Sequence, residues 1–190
     1  VMDGIPVVVY INGEYWGLYN LREHINPAYF EAHQGVDPDN VDFIKGNSKA
    51  LAGTNDANKE LLKYVQTHDL RIKENYDYVC SVVDIQSLIN WWVIESYLSN
   101  TDTGNIKYYK EKSDKGKWRW VIFDMDWSLW NSTYKWNTIE DIFDPRGHGV
   151  GKMFYTDLMV ALIKNPDFKD LFIHRYAYCI QKVFEPTRCI

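Results

Sequence analysis

Two β-rich runs, residues 7–11 and 18–23, flank the segment Asn12-Gly13-Glu14-Tyr15-Trp16-Gly17. Asn-Gly between such runs is the strongest short hairpin signal, because both residues tolerate positive φ. A short helix is predicted over 27–33, then a polar stretch over 35–40 and a strand over 41–45. Residues 46–55 are small and polar and predict a loop. Asn55 or Asp56 can cap a following helix that carries Leu61, Leu62, Tyr64 and Val65. Residues 69–83 read as irregular. Asp84 is an expected N-cap for a helix to about Ser99, where Leu88, Trp91, Trp92, Glu95 and Leu98 recur at helical spacing. The turn formers of 100–105 end it. Two further β-rich runs, 106–110 and 118–123, enclose a polar tip at 111–117 and predict a second hairpin. A long loop is expected through Gly149, then helices near 151–164 and 167–184 separated by Pro166.

This order, β-rich first and helix–hairpin–helix later, predicts an α+β fold with segregated layers. Residues 1–55 are expected to form a partial N-terminal β-rich lobe. Residues 56–190 are expected to form a helical lobe around a central hairpin, 106–123. The opening VMDGIPVVVY reads as the middle of a fold, so the expectation is a piece of a longer chain without its first strands. The lack of a visible targeting segment then says nothing about compartment.

Composition narrows the function classes. The chain has 190 residues, 46% apolar and 25% charged, which is ordinary for a folded domain and not for a disordered one. A formal charge of −5 argues against a general nucleic-acid coat. Apolar runs are far too short for a bilayer span, so no membrane insertion is expected. Cys80, Cys179 and Cys189 are scattered, without zinc spacing. Aromatics are in excess, with 8 Trp, 14 Tyr and 8 Phe. All tryptophans but Trp16 lie between Trp91 and Trp136. Trp91, Trp120 and Trp127 are expected in the core, and Trp130 and Trp136 as exposed contacts.

The second hairpin gathers the candidate chemistry. Its strands bring their open ends side by side, roughly 5 Å apart. Residues 100–105 enter there and 124–126 leave, so Asp102, Asp124, Asp126, Asn100 and Asn105 are expected to meet. If the chain stays extended, Asp124 and Asp126 also share a face with Trp120 and Ile122. Clustered hard oxygen donors suit Mg2+ or Mn2+, and a cation would relieve the repulsion among the acids. The plainer alternative is that Asp102 and Asn105 cap turns while the two later acids pair with lysines. Lys107, Lys110, Lys112, Lys115, Lys117 and Arg119 outnumber Glu111 and Asp114 along this hairpin. Solvation of the tip accounts for them. Asp141, Asp144, Arg146 and His148 occupy the long loop, and a loop of that length is often functional. His24, His33, His68 and His174 show no ligand spacing.

Val121-Ile122-Phe123-Asp124-Met125-Asp126 imitates the first motif of haloacid-dehalogenase-type phosphatases, but Trp127-Ser128 follows where Gly-Thr is usual. Too little chain remains after it for the rest of that fold. A nucleotide-sugar transferase using the DxD is a further alternative, without a visible doubly wound sheet to carry it.

Three ordered blocks resemble the CotH-like family, named for a spore coat protein and described as atypical, secretory-pathway-like protein kinases. They are Val9-Tyr10-Ile11-Asn12-Gly13-Glu14-Tyr15-Trp16-Gly17-Leu18-Tyr19, continued by Leu21-Arg22-Glu23-His24-Ile25; then Ser99-Asn100-Thr101-Asp102; then Trp118-Arg119-Trp120 through Phe123-Asp124-Met125-Asp126-Trp127-Ser128. The resemblance implies a divergent protein-kinase-like fold and transfer of a phosphoryl group from ATP to a protein hydroxyl. It implies Asp102 as catalytic base, with Asn105, Asp124 and Asp126 holding Mg2+ or Mn2+. It also suggests an extracellular, cell-surface or spore-coat setting.

The chain departs from the family pattern in a shorter stretch between Asp102 and Asn105, in Phe123 where proline is typical, and in lacking an upstream Gly/Ser-rich, lysine-bearing segment. Lys45 is therefore the candidate for the phosphate-binding lysine, with Glu23 as its possible partner. The alternative from a different class is a non-catalytic extracellular or coat-associated binding module.

Overall fold

The computed structural model describes residues 2–46, 49–100, 102, 105–129, 135, 137–143, 154–185 and 187, with backbone alone for 141–143 and 154–156. Trp130, Trp136, Asp144, Arg146 and His148 lie outside these, and nothing is described of the Asp141 side chain.

Strands β1 (Gly4–Ile11) and β2 (Glu14–Arg22) form the first hairpin, in antiparallel register with Val7 opposite Tyr19 and Val8 opposite Leu18. Asn12 and Gly13 both have positive φ, 52° and 85°, as a two-residue turn matched to strand twist requires. Ile5, Val8, Tyr10, Trp16, Leu18 and Leu21 on this hairpin are exposed.

Helix α1 (Pro27–Gln34) begins where Asn26 accepts a hydrogen bond from the Tyr29 amide and proline occupies the first turn. It ends at Gly35, whose left-handed φ of 66° lets its N–H reach the Glu31 and Phe30 carbonyls. Its buried Phe30 stacks on Tyr109 at 3.9 Å and meets Phe43 edge-on at 5.0 Å. The helix is thereby pinned to the second sheet.

That sheet has four antiparallel strands in the order β4-β3-β5-β6: β3 (Val41–Lys45), β4 (Lys49–Ala52), β5 (Lys107–Glu111) and β6 (Arg119–Val121). Its hydrogen bonding joins strands from before residue 56 to strands from after it. Alternation sorts its side chains: Val41, Phe43 and Tyr109 pack toward α1, whereas Ile44 and Tyr108 pack toward the helices on the other face. Strand β4 stands within the stretch expected as loop. Lys-Ala-Leu-Ala has no β-branched residue and forms a strand only because β3 supplies its partner.

Helices α2 (Asp56–Thr67), α3 (Lys73–Val82) and α4 (Ile85–Tyr97) follow. Helix α3 replaces the expected irregular segment. It has no side-chain cap, but Tyr76 and Val79 are buried, and packing stabilises what local signals do not. Helix α4 is the central element, with Leu88, Ile89, Trp91, Trp92 and Val93 all buried. Its cap, Asp84, accepts from the Ser87 amide and also pairs with Arg119 at 3.0 Å. The Ser87 hydroxyl in turn accepts from the Trp120 amide, so the start of α4 is tied to β6.

Helix α5 (Thr138–Phe143) lies within the expected long loop, anchored where the buried Thr138 hydroxyl donates to the Ser96 carbonyl at 2.6 Å. Helices α6 (Phe154–Leu162) and α7 (Pro166–Tyr178) match the two expected last helices, and a π-helical turn, Cys179–Val183, extends the second. The observed architecture is α+β, with two small antiparallel sheets and seven helices among the described residues. No described helix is long and apolar enough to cross a membrane. Trp91 and Trp120 are in the core as expected, but Trp127 is half-exposed, in a turn beyond the end of β6.

Candidate functional site

The site forms where α4 ends and β6 runs out. Helix α4 closes with the Leu98 amide on the Ile94 carbonyl and the Asn100 amide on the Glu95 carbonyl. Ser99, buried at this exit, has a left-handed φ of 49°. Asp102 and Asn105 follow. On the other arm, β6 ends at Val121, and Asp124 is left-handed at φ 57°. The extended chain that would put Asp124 and Asp126 on one strand face is therefore not what is found. A turn replaces it, closed by the Ser128 amide on the Met125 carbonyl and tied to α4 by the Leu129 amide on the Leu98 carbonyl. Left-handed residues other than glycine carry strain, and such strain clusters at functional sites.

The two arms nevertheless bring the acids together. One carboxylate oxygen each from Asp102, Asp124 and Asp126 lies within 4.8 Å of the others. Asn105 sits between the arms, and its amide NH2 donates to Asp102 Oδ2 at 2.6 Å and to Asp124 Oδ2 at 2.5 Å. Half a turn of that amide would present its oxygen instead. Lys45 and Lys107 act on Asp124 through their charges.

Burial raises the Asp124 pKa, and the neighbouring charges of Asp126 and Asp102 raise it further. The donor set fits a hard divalent cation. Oxygens around one Mg2+ at about 2.1 Å lie roughly 3 Å apart as neighbours and roughly 4 Å apart as opposites. The observed spacing needs only small side-chain adjustment to reach this.

Lys45 ends β3 and stands directly opposite Lys107 of β5. Lys107 is 6% exposed, and its ammonium lies 3.4 Å from the centroid of the Phe123 ring. Burial lowers its pKa, Lys45 lowers it further, and Asp124 opposes both. Lys107 is thus no solvated tip residue. The strand alternation that puts it in line with the buried Tyr109 was the available signal. Glu23 ends up elsewhere: its carboxylate accepts from the Asp3 amide at 2.9 Å and pairs with His33 at 2.6 Å.

Beneath the cluster lies a residue that the apolar spacing had absorbed. Glu95 is 8% exposed, and burial pushes its pKa up to about 7. A hydrogen bond from Asn100 works against this shift, and the Asp102 charge adds to it.

Comparison with family models matches the CotH kinase protein family over residues 3–190. The chain belongs to that family. Comparisons with curated proteins and with solved structures gave no match. In this CotH kinase family chain, the first resembling block is the β1–β2 hairpin. The second is the exit of α4, and the third is β6 with the turn beyond it. The second and third blocks, far apart in sequence, supply the three clustered acids.

Proposed function

We propose that this chain is a kinase-like phosphotransferase domain. It moves the terminal phosphoryl group of ATP to a protein hydroxyl with Mg2+ or Mn2+. The observation that carries this reading is the meeting of Asp102, Asp124 and Asp126 around Asn105 at one hairpin's open end. Asp124, Asp126 and Asn105 hold the cation. Asp102 orients the acceptor hydroxyl and takes its proton. The acceptor oxygen bonds to the terminal phosphorus as the bond to the bridging oxygen breaks, and the nucleoside diphosphate leaves. A bound divalent ion would supply charge neutralisation between the phosphates. Lys45 and Lys107 offer positive charge to phosphate oxygens from the sheet side. Such chemistry is mostly positioning and electrostatics, which fits a site built from fixed carboxylates and lysines. A kinase-like fold is part of the same proposal. Kinases likewise carry a catalytic-loop Asp and Asn first and a metal-binding Asp after them.

The test is thermal shift with ATP and Mg2+ or Mn2+, together with an assay of phosphate transfer to protein. Wild type is compared with Asp102→Ala and Asp124→Asn. A wild-type shift that vanishes in Asp124→Asn, with transfer that vanishes in Asp102→Ala, is the expected result. Metal-dependent hydrolysis without transfer would point to a DxD hydrolase or nucleotide-sugar transferase. No binding of metal or nucleotide would leave a non-catalytic binding module.

A further inference from the structure

Glu95 is the buried acid on α4 that the proposed chemistry does not use. Its neighbours on that helix, Trp91, Trp92 and Val93, are core residues, and a buried carboxyl there is costly unless it is hydrogen-bonded. Trp91 and Asn100 are its hydrogen-bond partners; the Asn100 amide donates to Glu95 Oε2 at 2.7 Å, and the Asn100 backbone N–H reaches the Glu95 carbonyl at 3.0 Å.

Asn100 touches both arms of the site. Its Oδ1 accepts from the Asp102 amide at 3.1 Å, on the loop arm. Its NH2 group also faces Met125 Sδ at 3.6 Å, and Met125 stands between Asp124 and Asp126 on the other arm. One amide side chain therefore spans the two segments whose carboxylates must meet.

An amide can turn over, exchanging its oxygen and nitrogen, and then it would lose the Asp102 N–H. Glu95 Oε2 accepts from the NH2 group, which leaves the Asn100 oxygen for the Asp102 N–H. We infer that Glu95 and Asn100 are positioning residues: Glu95 sets the orientation of the Asn100 amide, and Asn100 sets the separation of Asp102 from the Asp124–Asp126 arm. This rests on reading the acid cluster as a metal site. Partners one shell beyond the ligands typically change metal affinity 10–100-fold when removed.

The test is Mn2+ titration of the whole chain, followed by electron paramagnetic resonance, alongside hydrogen exchange at the Asp102 amide without metal. Glu95→Leu keeps the volume and removes the acceptor. It should weaken Mn2+ binding about tenfold and speed exchange at Asp102. Glu95→Gln retains an acceptor oxygen and should stay within about twofold of wild type. Asn100→Ala should match or exceed the loss in Glu95→Leu, and the double variant should be no worse than Asn100→Ala alone, because the two act in series. A merely structural role would lower stability without this rescue and without this non-additivity.

Wild-type Mn2+ affinity and Asp102 exchange in folded Glu95→Leu would overturn the inference. Equal losses in Glu95→Gln and Glu95→Leu would overturn it as well. If wild type binds no Mn2+, the metal reading fails, and the exchange pattern at Asp102 alone decides whether Glu95 orients Asn100.

Discussion

Lys45 and Lys107 face each other in register across β3 and β5, at the end of the sheet nearest Asp124. Like charges directly opposite on a sheet are destabilising, and burial of Lys107 adds to the penalty. The arrangement suits a protein that keeps two cations ready for an anionic ligand. Lys107→Met keeps an unbranched side chain and removes the charge. The expected outcome is a metal-free protein more stable by about 0.5–1 kcal/mol, measured by urea denaturation. Its ATP-dependent thermal shift should be smaller than that of wild type.

Asp124 separates backbone strain from charge. Its φ of 57° is one that Asn tolerates and Ala does not. Its raised pKa means that folding disfavours the ionised form. Asp124→Asn should therefore fold at least as stably as wild type at neutral pH and lose Mn2+ binding. Asp124→Ala should be less stable than Asp124→Asn by about 1–2 kcal/mol. Equal stability of the two variants in chemical denaturation would contradict the strain argument.

Glu95 makes stability depend on pH with a definite sign. Its folded-state pKa of about 7 lies above the ordinary value of 4.5, so the folded protein holds a proton that the unfolded chain releases. This contribution is fully present below about pH 4.5 and is lost as pH rises through about 7. Glu95→Gln removes the titration. It should gain on wild type progressively from pH 5 to pH 8, by at most about 3 kcal/mol. Denaturation series at each pH check this, and a constant difference between the two proteins would refute it.

Phe30 anchors α1 to the sheet through its contacts with Tyr109 and Phe43. Phe30→Ala should cost about 3–5 kcal/mol. Chemical denaturation measures the loss, and near-ultraviolet circular dichroism should report the changed surroundings of Tyr109.

Much of the frame was legible because its signals act over a few residues. Asn12-Gly13 demands a hairpin turn, Pro27 suits a helix start, and Asp84 caps α4 through the nearby Ser87 amide. The antiparallel pairing of β5 and β6 implied the meeting of Asp102 with Asp124 and Asp126, since a hairpin's open ends are neighbours by construction. Strand β4 and helices α3 and α5 were missed because partners elsewhere in the chain stabilise them: β3 beside β4, the core under Tyr76 and Val79, and Ser96 for Thr138. Tertiary packing alone decided that Lys107 and Glu95 are buried, and that Asp124 turns left-handed instead of continuing the strand. Turns and caps are written in contiguous residues. Burial, charge environment and backbone strain depend on which distant segments close around a residue, and sequence neighbours do not carry that information.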